Sequence, residues 1–136
     1  MNVLAATAIT ASALEAEKMR VDITSQNIAN AHTTKGIDGK PYQRRVVAFE
    51  SVLNQEMGQN MQGVRISEIK RDESPGELLY NPEHPHADKD GNVHMPNVNI
   101  AYEMVDMVTA SRSYEANLAV VRNARQMANQ ALSIGR

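Results

Sequence analysis

Residues 99–134, close to the end of the chain, contain neither proline nor glycine. Apolar residues recur there at helical spacing, and only Ser111 and Arg125 interrupt the stripe. The stripe consists of Ile100, Met104, Met107, Tyr114, Leu118, Val121, Ala128 and Leu132. This pattern predicts a helix that lays one side along another helix. At about 1.5 Å per residue it extends roughly 50 Å, longer than a compact domain of this size covers, so the helix needs a partner.

The first thirty residues repeat the same spacing with smaller and more polar side chains. The positions are Leu4, Thr7, Ala11, Leu14, Lys18, Val21, Ser25 and Ile28. Small residues let two backbones approach closely, whereas polar ones such as Lys18 and Ser25 weaken an isolated pair. Periodicity alone favours two core helices of a bundle. The alternative is a pair of assembly helices that pack firmly only when other subunits surround them.

The composition supports only a modest core. The 136 residues suit one domain, and 42% are hydrophobic, but there are one Phe, four Tyr and no Trp. A core without large aromatic side chains buries less area, so a compact monomer is only marginally stable. The net charge is −2 with both signs interspersed, which gives no electrostatic reason to bind nucleic acid.

The absence of cysteine excludes disulfides, thiolate metal sites and a cysteine nucleophile. Apolar runs are shorter than the ~20 residues of a membrane span, so we expect no direct membrane insertion. Residues 1–4 lack the basic start of a secretory signal, and Glu15 and Glu17 soon follow. The default address is the cytoplasm, unless the protein is exported by a route that reads no cleaved signal.

The middle of the chain is punctuated differently from its ends. Residues 34–98 hold all five prolines and six of the seven glycines, a density that suits short strands joined by turns. Strands are predicted at 42–49, 64–69 and 77–80, a loop or short helical turn at 52–61, and a tight Asp-Gly turn at 88–91. The predicted fold is therefore α+β. Long N- and C-terminal helices (residues 1–33 and 99–136) pair as a coiled coil, and a small β-rich module (34–98) is inserted between them.

Asparagines stand at both junctions between helix and module. Asn27, Asn30 and Thr33 are predicted to terminate the first helix and turn the chain into the module. At the second junction, Asn97 or Asn99 can cap the last helix. Gly135 is placed to end that helix as its C′ residue.

The one cluster that suggests chemistry contains His84, His86, Asp88, Asp90 and His94. The spacing is not that of a tetrahedral zinc site, and no regular element orders the ligands, so we interpret these residues as turn residues and predict no metal site. Asn99 also stands where a calcium loop begun at Asp88 needs a glutamate. No nucleophile elbow or phosphate-binding motif is present. We therefore predict neither a cofactor nor a catalytic site.

Both ends of the chain resemble flagellar axial proteins, the rod, hook and hook-associated subunits. Residues 12–20 and 25–33 match their N-terminal pattern, a helix ending in Asn-(Ile/Leu)-Ala-Asn-(Ala/Val)-x-Thr. Residues 95–99, 103–105 and 110–117, with the run from Tyr80 to Asp88, are similar to flagellar basal-body rod proteins. Asn92 departs from the family pattern, which has an aromatic residue after the glycine of the turn.

The resemblance implies a structural subunit of the proximal rod, which polymerises through its terminal helices into a helical tube that transmits torque. Such subunits are exported unfolded, without a cleaved signal, into the periplasm-spanning rod. The implied partners are copies of the chain, other rod proteins, and ring and export-gate components of the basal body. The expected assembly seam consists of Leu14, Val21, Ile28, Met104, Met107, Tyr114, Leu118 and Val121.

Two other functions stay open at this point. A free-standing helical adaptor could bind a partner protein by docking a helix in a groove. A small metalloenzyme could use His84, His86 and His94, although their spacing does not favour it.

Overall fold

The computed structural model describes residues 3–54 and 61–134, apart from the side chains of residues 3–6, 53–54 and 61–62. The elements in chain order are α1 (Val3–Ala29), β1 (Arg45–Asn54), β2 (Met61–Arg71), β3 (Leu78–Tyr80), β4 (Asn92–His94) and α2 (Ile100–Ile134). The chain is thus an α+β protein with a helix at each end and two small antiparallel sheets between them, which confirms the predicted fold class.

Both helices form where the apolar stripes predict them. Helix α2 starts at Ile100 because the Asn99 side chain accepts hydrogen bonds from the free N–H groups of the first turn. Its Oδ1 lies 3.0 Å from the Ala101 nitrogen and 3.3 Å from the Tyr102 nitrogen. The expected C′ residue, Gly135, lies outside the described residues. Neither helix is long and apolar enough to cross a membrane over the described part of its length.

Strands β1 and β2 form a hairpin longer than the alternating pattern indicates. The prediction of a loop at 52–61 is wrong at both ends, since 52–54 belong to β1 and 61 begins β2; residues 55–60 lie outside the described residues. A register shift pairs Ala48 with Glu68 and Phe49 with Ile66, which leaves Ser67 as an extra residue. The hydroxyl of Ser67 donates a 3.1 Å hydrogen bond to the Ala48 carbonyl across this bulge.

Strand β4 has no counterpart in the sequence prediction. It pairs with β3 through Leu78–His94 and Tyr80–Asn92, and the Asp-Gly turn precedes it as expected. Asp88 Oδ1 accepts hydrogen bonds from the nitrogens of Asp90 (2.9 Å) and Asn92 (2.8 Å). Asn92 therefore begins a strand, and its backbone closes the turn.

The two helices lie antiparallel. Asn27 near the end of α1 contacts Glu103 near the start of α2, and Arg20 contacts Asp106 one turn further along. The helix ends are level on this side, and α2 has 35 residues against 27 in α1. At 1.5 Å per residue, α2 therefore extends about 12 Å past the start of α1. Helix α1 also contacts both strands of the hairpin, so it lies against α2 and β1–β2 together.

Gly39 and Gly91 both have a left-handed backbone conformation. Only Gly91 also has other atoms close to the place where a side chain would begin. The φ angles are 76° at Gly39 and 80° at Gly91. A Cβ at position 91 lies 3.0 Å from the Tyr80 ring, whereas one at position 39 has no atom within 4 Å. We predict that Gly39→Ala lowers the free energy of unfolding by about 1–2 kcal/mol and that Gly91→Ala lowers it by at least about 1 kcal/mol more. Urea unfolding measures both, and equal losses would contradict the role of the Tyr80 contact.

Candidate assembly interface

Few side chains of the two helices are fully buried, and most of these are small or polar. The buried side chains of α1 are Ala16, Ile23, Thr24 and Asn27. Helix α2, described along its whole length, buries only Glu103 and Ala110. Ala16 and Ala110 have the smallest side chains of this set, and small residues allow elements to pack closely.

The predicted seam residues are less completely buried than this set. Leu14, Val21, Ile28, Met107, Tyr114, Leu118 and Val121 are half-buried, and Met104 is 50% exposed. Lys18 and Ser25 are exposed. The larger apolar side chains are therefore only partly covered within one chain, and they keep area to bury against something else.

Asn27 joins three parts of the chain and is 1% exposed. Its Nδ2 donates to the Arg45 carbonyl (2.8 Å) and to Glu103 Oε2 (3.0 Å). Its Oδ1 accepts from the Arg45 nitrogen and the Tyr42 hydroxyl, both at 2.9 Å. Every polar atom of the carboxamide is satisfied, so the end of α1, the start of β1 and the start of α2 are held together at one side chain.

Glu103 carries a carboxylate that is also 1% exposed. Besides Asn27 it accepts a hydrogen bond from Arg44 Nε, which makes a charge-assisted pair with the guanidinium. A buried carboxylate without such partners is strongly unfavourable. Glu103 therefore requires both Asn27 and Arg44 in place before α2 can pack against α1.

Arg20 and Asp106 link the helices one turn away from the buried pair. Arg20 Nε lies 3.3 Å from Asp106 Oδ2, and Nη2 contacts the other carboxylate oxygen. This hydrogen-bonded partner raises the pKa of Arg20 above its ordinary value. Glu17 Oε2, 3.8 Å from Arg20 Nη1, adds a second acidic group. These groups are partly exposed, so they contribute register more than stability.

Asn97 ties the strands to the start of α2. Its Oδ1 accepts from the Arg44 nitrogen (2.7 Å), and its Nδ2 donates to the carbonyls of Asp72 (2.8 Å) and Ser74 (3.0 Å). The Ser74 hydroxyl and N–H both donate to Asp72 and hold the pKa of that carboxyl below its usual value. Of the two asparagines here, Asn99 is the helix cap and Asn97 joins the hairpin to the helix.

Asn30 and Thr33 close the end of α1. Asn30 Nδ2 donates to the Gln26 carbonyl at 2.8 Å, and the Thr33 hydroxyl donates to Asn30 Oδ1 at 3.2 Å. The Thr33 carbonyl then accepts from the Tyr42 nitrogen at 3.0 Å, so the loop returns to the helix end. This closure places residues 42–45 beside Asn27.

The sequence alone predicts no site role for Tyr42, Arg44, Arg45 or Glu103. One signal was available for Glu103, which lies seven residues before Ala110 and therefore on the same side of the helix. Nothing in the sequence indicates that Arg45 meets Asn27 or that Arg44 meets Glu103, because the loop after α1 brings these residues together.

Helix α2 also carries exposed apolar side chains in its first turns. Tyr102, Val105 and Val108 are 75%, 66% and 49% exposed, and we call these three residues the outer patch. Three-residue spacing places them on neighbouring parts of one helix side. Such a group of exposed apolar side chains is a candidate interaction surface.

The three histidines lie in and beside the turns that join β3 to β4. The Thr34 hydroxyl lies 2.8 Å from His86 Nδ1, His84 Nδ1 accepts from the His86 nitrogen, and His94 lies 3.8 Å from Asp88. No three metal-ligating side chains come together anywhere in residues 3–54 and 61–134. These side chains order the turns between β3 and β4.

Comparison with known proteins identifies the class to which this helix pair and module belong. Residues 8–36 match the family described as "Flagella basal body rod protein". Residues 89–134 match the family "Flagellar basal body rod FlgEFG protein C-terminal". The two matches cover α2 and most of α1 with their junctions, and they indicate a structural subunit of the flagellar basal-body rod.

Three relatives, each called flagellar basal-body rod protein FlgC, match almost the whole chain. The Borreliella burgdorferi protein is 39% identical over 93% of both chains. The Bacillus subtilis protein is 40% identical over 94% of this chain and 95% of its own. The Salmonella typhimurium protein is 38% identical over 93% of each. The chain therefore belongs to the FlgC family of flagellar basal-body rod proteins.

The first prediction from this site concerns the buried carboxylate. Glu103→Ala removes the partner of Arg44 and one partner of Asn27, so we expect a loss of about 2–4 kcal/mol in the free energy of unfolding. Glu115→Ala, an exposed position on the same helix, should change it by less than about 0.5 kcal/mol. Chemical denaturation measures the free energy of unfolding of both variants. Similar small changes in the two would contradict the proposed contribution of Glu103 to stability.

A second prediction concerns Tyr42, whose pKa is raised above 10.0, chiefly by burial. The folded state holds this proton more tightly than the unfolded state does. Its stabilising effect is therefore complete below pH 10 and is lost as the pH rises through the folded-state value. We expect an ultraviolet titration of the folded protein to show a late step above pH 10 from this phenol. Tyr42→Phe should abolish that late step and Tyr80→Phe should retain it; a late step in both variants would refute the assignment to Tyr42.

Proposed function

We propose that this chain is a proximal-rod subunit that polymerises through its terminal helices into a helical tube and transmits torque by packing. The observation that carries the proposal is the incomplete burial of α2. Of its 35 residues, only Glu103 and Ala110 are buried. Half-buried seam residues and the outer patch provide apolar area for neighbouring subunits. Contacts of this kind between different faces of identical subunits generate helical arrays.

The coiled-coil pairing of the two ends belongs to the same proposal. Ala16 and Ile23 in α1, and Glu103 and Ala110 in α2, are spaced by seven residues, as a helical seam requires. Further helices from neighbouring subunits would complete the seam at Leu14, Tyr114, Leu118 and Val121. Burial at those positions would offset the entropy lost when the helices become ordered in the tube.

The three segments 1–33, 34–98 and 99–136 are proposed to act as helix, module and helix in the assembly. Asn27 and Asn97 hold the backbone of Arg44 and Arg45 from two sides, which supports a role in setting the angle between module and helices. A shaft that transmits torque needs this angle to be rigid, because a loose module would absorb rotation.

Export and partners follow from the proposed place in the rod. The chain would leave the cytoplasm unfolded without a cleaved signal and meet other rod proteins, copies of itself, and ring and export-gate components. Its small buried core and lack of cysteine are compatible with passage as an unfolded chain. The proposed site of action is the part of the rod that crosses the periplasm.

The test is a strain that carries Leu118→Asp as its only copy of the protein. A charge at a half-buried seam position should prevent helices from packing against neighbours and abolish rod assembly and swimming. The purified variant should stay soluble with its β module intact, as judged by circular dichroism and NMR. Gln126→Asp introduces the same charge at an exposed position of α2 and should leave swimming normal. Normal swimming of the Leu118→Asp strain would refute the seam.

A further inference from the structure

A groove of about 280 Å³ lies between the helices, away from the buried polar junction. It is lined by Lys18 and Val21 of α1 and by Ser111, Tyr114 and Glu115 of α2, and we call it the socket. Because both helices contribute to its walls, the socket exists only when they are paired. Neither the junction nor the set of fully buried helix residues includes any of these five.

Ser111 explains why the socket is open. It is one of two interruptions in the apolar stripe of α2, and it is half-buried between the helices. The stripe has Met107, Tyr114 and Leu118 on either side, all much larger than serine. A residue of that size at 111 would fill the groove, so the interruption keeps space free for a side chain from outside the chain.

The size and chemistry of the socket define its occupant. Val21 and Tyr114 provide apolar walls, and a cavity of about 150 Å³ already holds a benzene-sized molecule. The socket therefore accommodates a whole aliphatic or aromatic side chain, as a hole accepts a knob between packed helices. Lys18 and Glu115 are exposed at its rim, and neither takes part in an ion pair among the described residues.

We infer that the socket receives the outer patch of a second copy of this chain. The patch consists of Tyr102, Val105 and Val108, which are large, apolar and exposed. Exposed Arg112 follows Val108 after four residues, on the same side of α2. Arg112 complements Glu115 at the rim of the socket, which gives the contact a charge pair as well as apolar burial.

The contact that results is directional. Val105 and Ser111 are six residues apart, which places them about 120° apart around the helix. Patch and socket therefore lie on different sides of α2, and a docked pair leaves one patch and one socket free. Such a heterologous contact extends into an array and does not close into a dimer. The inference rests on the proposed function and names one contact within it.

The absence of cysteine allows a direct test. Rods assembled from the double variant Val105→Cys, Ser111→Cys should form a ladder of disulfide-linked multimers on oxidation, because each copy offers one thiol to the copy before it and one to the copy after it. Rods of either single variant should form no cross-links. A double variant that assembles rods without a ladder, or that yields only dimers, would overturn the inference.

Filling the socket provides a second test, which does not depend on cross-linking. Ser111→Leu should leave thermal stability unchanged or raised and abolish swimming, whereas Gln126→Leu, exposed on the same helix, should swim normally. Glu115→Arg should also abolish swimming, and adding Arg112→Glu should restore it. If the Ser111→Leu and Glu115→Arg strains swim while the Leu118→Asp strain does not, the contact between socket and outer patch is refuted. The proposed polymerisation through the terminal helices is then retained. If all three strains swim, the proposed function fails as well.

Discussion

The structure depends on one buried polar contact, in which the Asn27 carboxamide meets the Glu103 carboxylate at 3.0 Å, both 1% exposed. In a low-dielectric site such groups are favourable only when every hydrogen bond is made. Arg44 and Tyr42 and the backbone of Arg45 supply the remaining partners. Through this residue pair, the position of α2 depends on the end of α1 and on the residues that lead into the hairpin.

Away from this contact the protein buries little of itself. In α2 only Glu103 and Ala110 are buried. Its seam residues are about half-buried, and Tyr102, Val105 and Val108 are exposed. A monomer designed for stability would cover such area with larger side chains. In the proposed tube the arrangement is reasonable, because one end of the helix pair is fixed by polar contacts and the rest is available to neighbours.

The parts predicted well from sequence are those governed by local rules. Proline-free apolar stripes determine both helices, Asn99 caps α2, and the Asp-Gly turn forms where expected. The hairpin was underestimated because β1 and β2 are half-exposed ribbons that pack on α1, so their outer positions carry polar residues and the alternation is weak. Strand β4 is three residues long, too short for a periodic signal, and exists because β3 lies beside it.

Sequence by itself determined that this chain has two long helices around a small β module, and which family it resembles, because periodicity, caps and local motifs act within a few residues. Tertiary structure decided which side of each helix meets the other. The small residues Ala16 and Ala110 are fully buried, whereas the larger seam residues are only half-buried. Tertiary structure also decided that Arg44 and Asn27 donate hydrogen bonds to Glu103. These contacts join residues 59 and 76 positions apart, respectively, so no local sequence pattern predicts them.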